Sequence, residues 1–321
     1  MKKTFLVVAL GFAMVLSGAG GDLSWAKYPE KKIRLIVPFA PGGGADIMAR
    51  ALHKYANPYL GGRLYVENIA GASGAIGWRE AAKADPDGYT LCMMVTTMMT
   101  APHITKNFPT YDLFDVIGVT AQDPGMFSVK IDSRFKNIQE LIALAKANPG
   151  KVVVSTAGVG AIDHLYISAF AKSIGAEFNF VPYKGAGPAV VAAAGGHADA
   201  VGSGYSEAFN LLKGNKLRPV VVFTPNRFPD YPNIPTATEI GHELVVYHWR
   251  AAGGPKGISA EAKGVLVAAF RQAAENPEFQ KMVKDLGLEP NFLGPNEAAP
   301  FLKKQNDFLS GIAKKIGLQP K

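Results

Sequence analysis

The chain has 321 residues, with 34 Lys and Arg against 26 Asp and Glu, six His, a single Cys and a formal net charge of +8. One cysteine excludes an internal disulfide, and no H-E-x-x-H pair or cysteine at zinc spacing accompanies the histidines, so no metal centre is expected. The basic residues are dispersed, without the clusters or interleaved aromatics of nucleic-acid binders, so the positive balance fits a small acidic ligand and no nucleic acid.

Met1-Lys2-Lys3, an apolar run from Thr4-Phe5 to Leu16 and the small residues after it have the layout of a secretory signal peptide, residues 1–26. The run is too short to span a bilayer. Ser24-Trp25-Ala26 fits a cleavage site and Ser17-Gly18-Ala19 an earlier one, with no cysteine near either to carry a lipid anchor. A soluble, exported monomer in the periplasm is expected. The roughly 295 residues that remain are enough for two lobes.

The stretch Ile33–Asp46 organises the rest of the chain. Ile33–Val37 reads as a buried parallel strand, stopped by Pro38 and Pro41, and Gly42-Gly43-Gly44 lead into a helical pattern opened by Asp46. A strand, a glycine turn and a helix start place free N–H groups at the carboxyl end of a sheet, where they attract anions. Asp46 can at the same time serve as a plain N-cap. The loop is not a phosphate loop, because Ile47-Met48 stand where Lys-Ser/Thr is required.

The rhythm repeats with strand Arg63–Glu67, a glycine-rich turn at 68–77 into a helix reaching about Ala84, and strand Tyr89–Val95, in which Cys92 reads as a small buried hydrophobe. Residues 115–131 contain two extended runs parted by Asp123-Pro124-Gly125. A second series then alternates helices and strands from Ile138 to Phe223. An extended run, Leu244–Trp249, precedes three closing helices. Crossings near residues 127 and 247 predict two α/β lobes, residues 27–127 with 248–321 and residues 128–247, joined by two hinge-crossing strands and able to close on a ligand.

Val152–His164 repeats the logic of the first loop: strand, Gly158-x-Gly160 turn, helix start. A dinucleotide site is not expected, since Asp163 occupies the third glycine position and Glu177 falls before its strand. No cofactor is predicted. His164 either braces this loop or touches the ligand; Tyr183 follows a strand end and fits the cleft wall. No G-x-S-x-G elbow is present, so an enzyme is not expected.

The segments Pro38–Asp46 (PFAPGGGAD), Val66–Gly77 (VENIAGASGAIG), Asp85–Leu91 (DPDGYTL), Ala147–Lys151 (ANPGK) and Val181–Gly185 (VPYKG) stand in order along the chain. Gly196–Asp199 (GHAD), Pro232–Gly241 (PNIPTATEIG) and Gly253–Gly257 (GGPKG) come after them. Over nearly the whole mature chain this pattern resembles the Bug family, the TctC-like periplasmic solute-binding components of tripartite tricarboxylate transporters. The resemblance implies a type II periplasmic-binding-protein (Venus flytrap) fold that holds a carboxylate at Gly42–Asp46 and Gly158–His164. It also implies two partners, the TctA- and TctB-like subunits of a membrane permease, or for some relatives a sensor kinase. The ligand-contacting set so named is Phe39, Gly43, Gly44, Ala45, Asp46, Ser155, Thr156, Gly160, Ala161, His164, Tyr183 and Tyr205.

The chain departs from the family pattern where Ala161 and Ile162 replace hydroxyl-rich positions and Ala45 stands where threonine is frequent. That departure favours a mono- or dicarboxylate with an apolar or aromatic body over citrate. The readings from other classes are a ligand sensor for a kinase and a cofactor-free enzyme acting on a small anion.

Overall fold

The computed structural model describes residues 28–286 and 288–319; the expected signal segment, residues 1–26, lies outside them. The first series is β1 (Ile33–Val37), α1 (Gly44–Ala56), β2 (Leu64–Asn68), α2 (Ala75–Lys83), β3 (Thr90–Val95) and the single-turn α3 (Thr97–Thr100). β4 (Phe114–Lys130) leaves it. The second series is α4 (Ile138–Ala147), β5 (Val152–Thr156), α5 (Ile162–Ile174), β6 (Phe178–Pro182), α6 (Ala186–Ala194), β7 (Ala200–Gly204), α7 (Tyr205–Lys213) and β8 (Leu217–Val222). The chain returns through β9 (Tyr247–Pro255) and ends in α8 (Ala260–Glu275), α9 (Pro277–Asp285), β10 (Glu289–Leu293) and α10 (Pro295–Lys315).

β1 buries every residue but Arg34, as a strand covered on both faces should. In α1, Ala45, Met48, Ala49, Leu52 and Ala56 form a buried stripe at helical spacing. The strands run in the order β2-β1-β3-β9-β4-β7-β5-β6, with β10 and β8 also paired to β4. β1, β2 and β3 pair in parallel, as do β5, β6 and β7. β9 lies antiparallel between β3 and β4.

Three expectations are corrected. Residues 114–130 form one strand of 17 residues, not two. Asp123-Pro124-Gly125 is where β4 changes partners: it pairs with β9 up to Pro124 and with β7 from Gly125 onward. A proline, with no N–H to give a ladder, fits such a change. The return strand starts at Tyr247 and runs on through Gly253 and Gly254. Those glycines serve close packing: a Cβ on Gly253 would sit 2.9 Å from the Asp115 carbonyl oxygen. The short β10 was not anticipated.

Helix starts differ in whether a side chain caps them. The Asn137, Ser259 and Asn276 side chains cap α4, α8 and α9, accepting from Glu140 N–H at 2.9 Å, Ala262 N–H at 3.2 Å and Glu278 N–H at 2.8 Å. The helices α1, α5 and α6 begin at Gly43, Ala161 and Gly185, and no side chain caps them.

The first-series core is anchored by Trp78, fully buried, whose Nε1–H donates to the Met93 carbonyl at 2.9 Å and whose ring meets Phe39 and Phe108 edge-on. Trp78→Ala should destabilise the protein by about 3–5 kcal/mol. A urea titration would show this as a lower midpoint with an unchanged slope.

Candidate ligand-binding site

β1, β5, β6 and β7 all end at one cleft, and each hands the chain to a helix that starts there. Across the cleft the first series donates to main-chain carbonyls of the second. Ala40 N–H donates to the Lys184 carbonyl at 3.0 Å, Ser73 Oγ–H to the Val159 carbonyl at 2.7 Å, and Thr100 Oγ1–H to the Gly160 carbonyl at 2.6 Å. Glycine permits this approach. A Cβ on Gly187 would lie 2.8 Å from the Pro41 carbonyl oxygen and 3.0 Å from Gly43 N. At Gly160, which has φ +78°, it would lie 2.9 Å from Ala101 Cα.

Between the helix starts lies a cavity of about 30 Å³, close to one water's share of liquid volume. The first loop and helix contribute Phe39, Gly43, Gly44 and Ala45, the end of β3 contributes Val95 and the start of α3 contributes Thr97. Opposite stand Ala157, Ile162, Asp163, Ala186 and Glu207, with His248 and Arg250 from β9 forming the floor. A roomier groove of about 600 Å³ runs between α5 and α10, but no helix start lines it.

The floor carries an ion cluster. Arg250, 3% exposed, extends Nη2 to Glu207 Oε1 at 2.8 Å and Asp123 Oδ2 at 3.3 Å. Its guanidinium packs on Gly44 so closely that a side chain there would collide with it. Glu207 Oε2 accepts from Gly204 N–H at 2.8 Å. Asp123 accepts from Ser206 N–H at 3.1 Å and Ser206 Oγ–H at 2.6 Å, which secures the start of α7. Burial pushes the Asp123 carboxyl up against the opposing pull of Arg250. His248 Nδ1 lies 4.0 Å from Glu207 Oε2, and burial together with Arg250 keeps the ring neutral. Asp163 Oδ2 accepts from Ala157 N–H at 2.6 Å, while burial pushes its carboxyl up to about 8.

Of the residues expected from sequence, Phe39, Gly43, Gly44 and Ala45 line the cavity. Asp46 does not, and it is not the N-cap. The helix starts two residues earlier, and the Asp46 carboxylate turns back to accept from Gly42 N–H, Arg50 Nε–H and Asn68 Nδ2–H, each at 3.0 Å. Burial opposes its charge, but these bonds outweigh burial and hold the carboxyl below its usual range. Ser155 is spent on the framework, its hydroxyl donating to the Ala189 carbonyl at 2.9 Å. Thr156 is fully buried beside it, outside the lining. Gly160 and Ala161 shape the second loop. His164 braces that loop, with Nδ1 3.4 Å from Gly160 N and its ring against Phe180. Tyr183 packs into a separate apolar cluster that also holds Tyr205, whose hydroxyl donates to Asp230 at 2.6 Å.

Sequence reading missed Thr97, Glu207, His248 and Arg250, and covered Asp163 only as part of the loop Gly158–His164. A signal for part of this set exists: Arg250 is an isolated charge within the run His248–Ala252, and Asp123, its partner, interrupts another apolar stretch. Isolated charges inside buried strands are placed there for a partner or a ligand.

Because the folded pKa of Asp163 is raised from 3.8 to about 8, the folded chain holds more protons than the unfolded one within that window. Its contribution to stability is therefore full at low pH and lost as pH rises toward about 8. Asp163→Asn removes the titration and still lets the amide oxygen accept from Ala157. The melting temperature of this variant minus that of the wild type should rise from pH 5 to pH 8; a flat difference would show that Asp163 is ionised throughout.

A match to the family described as "Tripartite tricarboxylate transporter family receptor" spans residues 48–318. A protein from the gbd 5′ region of Cupriavidus necator is 32% identical, over 97% of this chain and 94% of its own. The periplasmic binding protein BugD has a similar structure, with a TM-score of 0.86 and 31% identity, covering 92% of this chain and 100% of that one. MatC from Rhodopseudomonas palustris, solved with bound malate, reaches a TM-score of 0.85 at 23% identity, covering 89% of this chain and 100% of its own. The fold is the two-lobed α/β fold of periplasmic binding proteins. With its family-wide match and its Bug-type relatives, the chain belongs to the TctC family of solute-binding receptors.

Proposed function

We propose that the protein is exported to the periplasm, captures a small organic mono- or dicarboxylate between its lobes and delivers it to the permease of a tripartite tricarboxylate transporter. The lobes of this reading are residues 27–127 with 248–321 and residues 128–247, hinged where β4 and β9 cross. The observation that carries it is the meeting of α1, α5 and α6 at one cavity with no side-chain caps. Their first N–H groups and aligned dipoles suit a carboxylate. The malate in MatC is a small dicarboxylate, although at 23% identity that likeness speaks for the fold and not for the ligand.

Magnitudes explain why two lobes are needed. A hydrogen bond to a charged group contributes roughly 1.5–3 kcal/mol, and association costs about 4–15 kcal/mol. Two or three bonds from one lobe barely offset that cost. Donors from both lobes together reach micromolar affinity, about −8 kcal/mol. Closure thus belongs to binding.

Two experiments test the reading. In a thermal-shift screen, small acids should stabilise the protein by up to about 4 kcal/mol at a thousand times their dissociation constant, and their amides should not. Equal shifts from acid and amide would remove the anion site. Gly187→Ala tests closure. Alanine favours a helix over glycine by about 1 kcal/mol, so α6 should fold, yet the new Cβ meets the opposite loop. Affinity for the best acid should fall at least about tenfold by calorimetry, because the competent closed state becomes rarer. Unchanged affinity would mean that the lobes do not close along this seam.

A further inference from the structure

The turn between β2 and α2 holds four consecutive residues with positive φ: Gly71 at +140°, Ala72 at +47°, Ser73 at +55° and Gly74 at +97°. Packing requires glycine at the outer two. A Cβ on Gly71 would lie 2.6 Å from Ile76 Cδ1, and one on Gly74 would lie 2.6 Å from the Trp78 ring. Ala72 and Ser73 carry side chains in the left-handed region, where a Cβ crowds the following carbonyl. Strain of this kind collects at clamps and switch regions, where the surrounding structure holds it in place.

Ser73 has a task that glycine could not perform. Its Oγ–H donates across the cleft to the Val159 carbonyl at 2.7 Å. The side chain lies so close to Gly158 that a Cβ there would stand 2.5 Å from Ser73 Oγ and 3.2 Å from Ser73 Cβ. Thr100 takes the next carbonyl of the same loop, its Oγ1–H donating to Gly160 at 2.6 Å. Two successive carbonyls of the second loop are thus held by hydroxyls of the first series. Directly after them Ala161 N–H closes on the Gly158 carbonyl at 3.1 Å, and α5 begins. Thr100 is fully buried and Ser73 half-buried, so Ser73 is the outer of the two contacts.

We propose that Ser73 is a positioning residue for closure: its strained backbone is kept because it aims the hydroxyl at Val159 and latches the second glycine loop to the first series. The inference rests on the reading that the two lobes close, and it names a side chain that sets how long they stay shut. Strain and latch act in opposite directions. Glycine at 73 would relax the backbone and lose the hydrogen bond, whereas alanine would lose the bond and keep the strain. Ala72, exposed beside it, has the same backbone strain and no hydroxyl, and supplies the control.

Hydrogen exchange reads the latch from a different cross-cleft bond, the one that Ala40 N–H donates to Lys184. Its rate follows the population in which the lobes are apart. NMR on the mature chain, with malate absent and with malate in excess, supplies the rates. Where the wild type protects Ala40, Ser73→Ala and Ser73→Gly should each exchange there about three- to tenfold faster, the effect of one lost hydrogen bond. Amides inside β1 should keep their rates, and Ala72→Gly should leave Ala40 unchanged. Melting separates the strain from the latch. Ser73→Gly should melt about 1–3 °C above Ser73→Ala, and Ala72→Gly should exceed the wild type by a similar margin. Unchanged exchange at Ala40 in Ser73→Ala would overturn the inference and leave lobe closure standing. An equal acceleration in Ala72→Gly would also overturn it, by tracing the effect to the loop's flexibility. So would a Ser73→Gly variant that melts no higher than Ser73→Ala, because residue 73 would then store no strain. Ala40 exchanging at the free-chain rate in the wild type under both conditions would overturn closure along this seam as well.

Discussion

Everything at the cleft depends on hydrogen-bond donors that the fold itself leaves open. A helix start exposes several N–H groups, and at α4, α8 and α9 an Asn or Ser side chain accepts from one of them. At Gly43, Ala161 and Gly185 no side chain caps the helix, as is also true at Gly74 and Gly294, but only the first three starts meet at the cavity. Parallel strands carry the helix starts to one end of each sheet, and the crossing strands bring the two ends face to face. Glycine in the turns keeps the donors reachable.

Much of this was written plainly in the chain. The β-branched run at Ile33–Val37 and the glycines after it dictate a strand, a tight turn and an exposed helix start, and local patterning suffices to read them. Residues 247–255 were harder. Gly253-Gly254-Pro255 carries turn chemistry, and only the crowding by Asp115 and Met94 shows why those glycines lie in a strand. Asp123-Pro124-Gly125 misled in the same way. It reads as a break, yet tertiary pairing holds it extended at the point where β4 changes neighbours. Both failures fall on the crossing strands, so the floor of the site, built from β9, stayed out of view. The polar character of the cleft was lost with it. A reading limited to the glycine loops counts missing hydroxyls at Ala45, Ala161 and Ile162 and cannot see Arg250 arriving from the returning strand.

The Arg250 cluster has a cost that its position explains. Burying a guanidinium is expensive unless hydrogen-bonded acids surround it, and a well-packed apolar group is often no less stable. Glu207 belongs to α7 and Asp123 to β4, so the cation ties elements of the second series to the returning strand. Each acid holds the α7 start as well, through Gly204 N–H and Ser206. The cluster therefore ties the start of α7 to the returning strand at the cleft floor.

The seam where Gly187 meets Gly43 separates two tasks in space. At the rim of the cleft, Ala40 N–H and the Ser73 and Thr100 hydroxyls meet main-chain carbonyls of the other series. The floor holds the ionisable side chains, and none of them takes part in the rim's hydrogen bonds. Such an arrangement is modular. Exchanging Asp163 or Thr97 for another side chain would change the lining of the cavity and leave the rim's hydrogen bonds as they are.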